Sequence, residues 1–342
     1  MARPVQVALL GYGLAGSRFH APFISTTAGM RLSTVVTGDD ERREQAVREH
    51  PRVEVVGTAD EVWERAAELD LAVIATPNES HLPLGLAALE AGLAVVVDKP
   101  LALNAAEARS LVEAAAERGL MLSAFQNRRW DGDFLTLRKL LDANELGRVH
   151  RFESRFERWR PQLGDGWRER TPAAEGGGLL LDLGSHLVDQ AVQLFGPVRE
   201  LYAEVDARRD GALADDDVFL ALEHESGVRS HLWASVLAAD PAPRFRVLGD
   251  QAAFVKHGLD VQEEALRAGI SPTDPAWGEE PRERWGKLVT ENEQREVPTE
   301  PGSYGSFYAG VARSLRDGAP PPVDPRDAVA LLELLDEARA AD

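Results

Sequence analysis

The chain has 342 residues, with 57 Asp and Glu against 38 Lys and Arg, and a formal net charge of −19. At roughly 150 residues per domain this length predicts about two domains with ample core, and the acidic balance excludes a nucleic-acid binder, which needs a basic face to neutralise phosphates. Cysteine is absent, which removes disulfides, thiol nucleophiles and thiolate-held zinc, and no metal site is expected.

Met1-Ala2-Arg3-Pro4 leads straight into a strand-like run, so no signal peptide is expected. No apolar run approaches the roughly 20 residues of a membrane helix. A soluble cytoplasmic protein without a membrane partner is the expectation. Val5 to Leu10 is an apolar run ended by Gly11, and the segment after Gly16 reads as helix. Further short apolar runs are Leu32 to Thr37, Leu71 to Ala75, Ala94 to Val97 and Leu120 to Phe125. Between them, Pro83 to Ala91 is helical, and Asn104 to Arg118 is a helix capped at Asn104 and stopped at Gly119. Near-continuous apolar strands alternating with helices predict a parallel sheet covered on both faces. Residues 1–123 therefore read as a doubly wound α/β, Rossmann-type domain that binds a dinucleotide.

The pattern then changes. His150, Phe152, Ser154 and Phe156 alternate with Arg151, Glu153, Arg155 and Glu157, which predicts a strand with one wet face. Similar runs occur at Val198 to Asp206, Asp217 to His224, Val228 to Val236 and Arg244 to Val247. Residues 124–342 read as an α+β domain with a large, mostly antiparallel, open-faced sheet. Residues 271–303, rich in Pro, Gly and Glu, predict a long surface excursion. The last helix is expected over about 325–341, after Pro320-Pro321-Pro322. On the sheet, Leu232, Ala234 and Val236 would form a solvent-facing apolar patch, which predicts a homo-oligomer.

Gly11-Tyr12-Gly13-Leu14-Ala15-Gly16 fits G-x-G-x-x-G between a strand and a helix. Gly11 allows the tight turn, Gly13 lets a pyrophosphate approach, Gly16 lets helix and strand pack, and Leu14 lies in the same loop. NAD-selective sites place Asp or Glu at the end of the second strand, on the ribose hydroxyl. Here Thr37 stands there and Arg42 follows within reach of a 2′-phosphate, which favours NADP; Asp39 or Asp40 in the ribose role would instead give NAD.

Lys99 ends an apolar strand before Pro100, where open α/β sheets bind ligands. The chain has 4 Lys against 34 Arg, so a retained lysine points to a compact donor with an adjustable proton; a surface lysine at a strand end is the plainer reading. Gly176-Gly177-Gly178 precedes Asp182 and His186, which lie four apart on one helix face, with Asp189 further along it. Gly184 inside that helix suggests a close approach. The plainer reading is a buried histidine bonded to Asp182.

Together, Gly11 to Gly16, Thr76-Pro77-Asn78 with His81, Asp98-Lys99-Pro100, and the triple glycine with Asp182, Gly184 and His186 resemble the glucose-fructose oxidoreductase/inositol dehydrogenase/MocA (Gfo/Idh/MocA) family across both domains. Phe125 to Asp131 and Phe156 to Pro161 further resemble a bacterial branch that includes NADP-dependent scyllo-inositol dehydrogenases. The family usually has Glu where Asp98 stands. The resemblance implies NAD(P)-dependent interconversion of a ring alcohol and ketone on a sugar or cyclitol. It implies that Thr76, Pro77, Asn78, His81 and Lys99 contact the cofactor. It further implies that Lys99 and His186 are catalytic, that Asp182 binds the substrate, and that the open sheet face makes a homodimer or homotetramer. Asn127, Arg128, Trp159, Arg160 and Trp167 are weaker pocket candidates, because Arg and Asn bond hydroxyls and Trp covers a ring's C–H face. A non-catalytic dinucleotide-binding sensor, or reduction of an imine or biliverdin-like substrate, are the other readings of the same fold.

Overall fold

The computed structural model describes residues 3–164 and 170–340. Strand β1 (Val5–Leu10) lies inside a six-stranded sheet with β2 (Met30–Val36), β3 (Glu54–Val56), β4 (Leu71–Ile74), β5 (Ala94–Asp98) and β6 (Leu122–Phe125). The order is β3-β2-β1-β4-β5-β6, and every pairing is parallel. β4 and β6 are buried along their whole length, as expected for strands covered on both faces. The helix Ala105–Arg118 begins and ends as its sequence dictates: the Asn104 side chain accepts from Glu107 N at 3.0 Å, and Gly119 takes φ 63° to close it.

The chain divides into two compact units. The first comprises Met1–Asn127, Glu263–Trp277 and Tyr304–Val329; the second comprises Arg128–Gln262, Gly278–Ser303 and Ala330–Asp342. This path differs from a single boundary near residue 123, because later segments complete the first unit's core. Phe307 and Tyr308 stack on Phe125 with ring centroids 4.9 and 5.9 Å apart. Ser123 Oγ donates to the Val323 carbonyl at 2.9 Å, and Trp277 meets Phe23 edge-on at 5.8 Å.

The second unit holds an eight-stranded sheet: β7 (Val149–Glu157), β8 (Val198–Asp206), β9 (Asp217–His224), β10 (Arg229–Ser235), β11 (Phe245–Gly249), β12 (Ala253–Lys256), β13 (Gly286–Val289) and β14 (Gln294–Val297). Its order is β14-β13-β12-β11-β7-β10-β9-β8, antiparallel except at β7–β10. The predicted surface excursion over 271–303 is corrected here, since β13 and β14 extend the sheet from within it. A buried ion pair holds that segment: Lys256 Nζ donates to Glu280 Oε1 at 3.0 Å with both side chains almost fully covered. Thr299 Oγ1 donates to the other Glu280 oxygen at 2.6 Å.

The expected apolar patch is also corrected. Leu232 and Ala234 are fully buried and Val236 is 7% exposed, so all three point into the unit. Because strand side chains alternate, the outward row takes the other phase. It carries His231 and Trp233, with the Arg155 guanidinium 3.9 Å over the Trp233 ring. The alternate face of β7 is only partly wet: Arg151 is exposed, whereas Glu153 is 7% exposed, bonded at 2.9 Å to both Arg155 and Arg246. Burial pushes the Glu153 carboxyl up, but these guanidiniums outweigh it and hold it below the usual range.

Gly132 N and Gln262 N donate to the buried Asp260 carboxylate at 2.7 and 2.8 Å. Burial, and then the neighbouring Asp133 charge, push its pKa from 3.8 up to about 6. Between these values the folded chain keeps a proton that the unfolded chain has lost, so stability falls as pH rises through them. Unfolding by denaturant from pH 3.5 to 7 should show the wild type losing stability relative to Asp260→Asn. The loss should be roughly 1.4 kcal/mol for each pH unit inside that window. Parallel curves for the two proteins would mean that Asp260 titrates as an ordinary carboxyl.

Candidate active site

The glycine loop leaves β1 where β1 and β4, neighbours in the sheet, send their connections to opposite sides. Gly11 takes φ +94°, and a Cβ there would lie 2.6 Å from the Ala75 carbonyl oxygen. At Gly16 a Cβ would lie 2.0 Å from the Gly11 carbonyl oxygen. Neither position admits a side chain. Gly13 differs, since a Cβ there would meet only Arg42 Nη1, at 3.9 Å. The helical run that follows opens as a π-helix, Ala15–His20, and continues as Ala21–Thr26. Leu14 at its start is 48% exposed. Ser17 donates to the Gly13 carbonyl through both N (2.9 Å) and Oγ (2.8 Å). Tyr12 is buried, its hydroxyl donating to Glu49 Oε2 at 2.8 Å, which ties the loop to the end of the helix Asp40–Glu49.

At the end of β2, Thr37 is buried and its Oγ1 accepts from Asp39 N at 3.3 Å. The Asp39 carboxylate accepts from Arg42 N at 3.0 Å and so caps the helix Asp40–Glu49. The guanidinium of Arg42 is half exposed and reaches the open side of Gly13. The residues therefore fit a dinucleotide: open space at Gly13, a helix start that favours negative charge, and an arginine beside both.

Lys99, half-buried, follows β5, and its backbone N donates to Asp98 Oδ1 at 2.9 Å. Burial pushes the Asp98 carboxyl up, yet His20, Lys99 and His81 together hold it below the usual range. Thr76 and Asn78 follow β4; Thr76 Oγ1 and Ser80 Oγ share a hydrogen bond at 2.6 Å, Pro77 is exposed and Asn78 is buried. His81 was expected at the cofactor. It is fully buried, with Nδ1 2.8 Å from the Pro100 carbonyl and Nε2 3.0 Å from the Thr76 carbonyl. Both ring nitrogens are thus engaged by backbone, and burial lowers its pKa. His81 thereby braces the ends of β4 and β5.

In the second unit, Asp182 lies in a π-helical turn, Leu180–Gly184, which runs into the α-helix Ser185–Phe195. The regular α-helical spacing assumed between Asp182 and His186 is therefore modified by one wider turn, of the kind common at functional sites. Asp182 is half-buried and His186 is 4% exposed. The triple glycine has a structural cause. At Gly178, φ +93°, a Cβ would meet Asp215 Oδ1 at 2.1 Å, and at Gly177 it would meet the Thr171 carbonyl oxygen at 1.9 Å. Asp215 in turn accepts from Leu180 N at 2.6 Å and caps this helix; burial raises its pKa. At Gly184 a Cβ would meet the Leu180 side chain of its own helix at 3.3 Å.

Further along, Asp189 receives both arms of the buried Arg129 guanidinium, at 2.9 and 2.6 Å. Arg128 is also buried, 3.3 Å from Asp131 and 4.8 Å over the Phe156 ring, whose other neighbours include His186 at 6.3 Å. Asn127 is buried. Trp159 is 56% exposed and bridges to Leu237. Arg160 is exposed, and its N donates to Val236 O at 2.7 Å. Trp167 lies outside the described residues. The first unit thus gathers the glycine loop, Thr37, Arg42, Thr76 and Lys99, and the second gathers Arg128, Asp182 and His186. Two residues near Lys99 escaped the sequence reading: His20 and Tyr308, fully buried, with Nδ1 and the phenol oxygen 2.6 Å apart.

Residues 5–126 match the model of an oxidoreductase family with an NAD-binding Rossmann fold, and residues 134–255 match the GFO/IDH/MocA C-terminal domain. The chain is 35% identical over 338 residues to scyllo-inositol 2-dehydrogenase (NADP(+)) IolW of Bacillus subtilis (strain 168), covering 98% of this chain and 92% of that one. It is 40% identical over 340 residues to the uncharacterized oxidoreductase YdgJ of Escherichia coli (strain K12), covering 98% and 96%. The solved structure of yvaA from Bacillus subtilis superposes with a TM-score of 0.93 at 34% identity, covering 99% and 96%.

Gly13 and Gly16 make a discriminating pair. Gly13→Ala should leave the melting temperature of the free protein unchanged, because the added methyl meets nothing closer than Arg42, yet weaken dinucleotide binding at least about tenfold. Gly16→Ala should lower the melting temperature as well. Calorimetric titration and thermal melts check both; full affinity in Gly13→Ala would place the pyrophosphate elsewhere.

Proposed function

This chain belongs to the Gfo/Idh/MocA family of NAD(P)-dependent dehydrogenases, and we propose that it interconverts a ring secondary alcohol and its ketone on a cyclitol, best represented by scyllo-inositol, with NADP. The observation that carries the reading is Lys99 at the carboxyl end of β5, one strand from the β1–β4 junction that holds the glycine loop. It is joined by the full-length similarity to a scyllo-inositol dehydrogenase. NADP is favoured over NAD because Thr37 carries no charge to repel a 2′-phosphate, Asp39 is engaged as a helix cap, and Arg42 stands over Gly13.

The bound nicotinamide supplies the hydride donor or acceptor. The chain's own residues handle the proton. His186 takes the hydroxyl proton as general base. Lys99 donates to the same oxygen and stabilises its alkoxide character. Asp182 orients His186 or holds a neighbouring hydroxyl. Arg128, held by Asp131 and Phe156, is the best placed of the remaining pocket candidates.

The test is a dehydrogenase assay over inositols, glucose and xylose with NADP and NAD in parallel. scyllo-Inositol with NADP should give the highest kcat/KM. Lys99→Ala and His186→Ala should each lower kcat/KM at least about a hundredfold. The double variant should lose far less than the product, since the two residues act on one oxygen. Fully active single variants would refute the assignment. A tenfold preference for NAD would refute the reading of Thr37.

We further propose a homodimer or homotetramer through the outward sheet face, carried by Tyr202 (57% exposed), Phe219 and Trp233 rather than by the inward Leu232, Ala234 and Val236. Light scattering should give a multiple of the monomer mass, reduced to the monomer by Trp233→Glu. A wild-type monomer at all concentrations would exclude it.

A further inference from the structure

We propose that His20 and Tyr308 are positioning residues for Lys99, acting through Asp98; this rests on the reading of Lys99 as the donor to the reacting oxygen. The contacts run in one line. Tyr308, on the helix Gly305–Asp317, places its hydroxyl 2.6 Å from His20 Nδ1. His20 Nε2 faces Asp98 Oδ1 at 3.6 Å, longer than a full hydrogen bond. The same Asp98 oxygen accepts from the Lys99 backbone N at 2.9 Å.

The protonation pattern follows from chemistry. A carboxylate accepts only, so Nε2 must carry the hydrogen that points at Asp98. Burial, and then the Asp98 charge, hold the Tyr308 phenol well above its ordinary pKa, so it keeps a proton to donate to Nδ1. The ionisable groups around His20 are Asp98 with Lys99 at the end of β5, His81 on the helix His81–Glu90, and Tyr308. Its remaining walls are aromatic: the Phe125 ring lies 4.4 Å from the imidazole. His20 and Tyr308 are fully buried, and the Asp98 side chain is 15% exposed. In this dry setting an unmatched carboxylate would be costly.

One consequence is specific to this chain. His20 ends the π-helix that starts at the glycine loop. The dinucleotide loop and the lysine are therefore linked through one imidazole.

The experiment uses the free protein labelled with 15N-lysine, which gives four amide signals because the chain has four lysines; Lys99→Arg identifies the Lys99 signal. His20→Ala should move that signal while Lys139 and Lys287 stay in place. His20→Gln, which keeps a donor at the Nε2 position, should return it. With scyllo-inositol and NADP, His20→Ala should lower kcat at least about tenfold while the NADP dissociation constant stays within about twofold. Tyr308→Phe keeps the buried ring and should lower kcat by less. Adding it to His20→Ala should cost nothing more, because Tyr308 acts through His20. An unmoved Lys99 signal, a His20→Gln as impaired as His20→Ala, or multiplicative losses would each overturn the proposal. If His20→Ala does not fold, His20→Gln and Tyr308→Phe decide by the same signal, and that readout needs no substrate. A fully active Lys99→Ala, together with a Lys99 amide signal that moves in His20→Ala, would instead refute the role of the lysine and leave the contact line standing.

Discussion

A Cβ on Gly11 would lie 2.6 Å from the Ala75 carbonyl oxygen, and one on Gly16 would lie 2.0 Å from the Gly11 carbonyl oxygen. That crowding fixes where the first helix can start. The helix then delivers Ser17 to the Gly13 carbonyl and His20 to Asp98, so the position of Lys99 traces back to a turn that tolerates no side chain. The second unit repeats the device with other parts. Gly178 leaves room for the Asp215 carboxylate, and that carboxylate starts the helix bearing Asp182 and His186. In both units a glycine at positive φ sets the origin of a helix, and a π-helical turn follows.

Charge inside this protein is matched at short range. Arg129 with Asp189, Arg209 with Asp216, and Lys256 with Glu280 are pairs in which both partners are nearly covered. Such pairs add little net stability over an apolar substitute, but removing one partner strands the other. Their value here is geometric. Arg129 pins the helix of His186 three residues beyond the imidazole. Arg244 lies between Phe156 and Phe245 and donates to Gln190 on that same helix at 2.7 Å.

Much of the first unit was legible in the residues themselves. Strands covered on both faces read as apolar runs, and Asn104 and Gly119 carry their capping chemistry locally. The short strands β3, β12, β13 and β14 were not legible. β3 has three residues, and Gln294, Arg295 and Glu296 of β14 are exposed, so no periodicity marks them; Glu280, far from β14 in the chain, anchors that segment. The face of β10 was misread because a shift of one residue reverses inside and outside, and both phases contain apolar residues. The glycine loop and Lys99 stood out through their local context. His20 and Tyr308 could not, since their partnership spans 288 positions and neither lies in a motif. The role of His81 depended on which carbonyls surround it, which only the folded chain reveals.

The scarcity of lysine has a practical side. Lys256 is sealed against Glu280, while Lys139 and Lys287 are exposed, and all three belong to the second unit. Lys99 is the one lysine of the first unit. Apart from the terminal amine, acylating reagents therefore find two open ammonium groups and one half-covered one. A dye or resin attached through Lys139 or Lys287 sits on the second unit and keeps its chemistry off the glycine loop. Modification of Lys99 would announce itself as the one lysine adduct on the dinucleotide-binding unit.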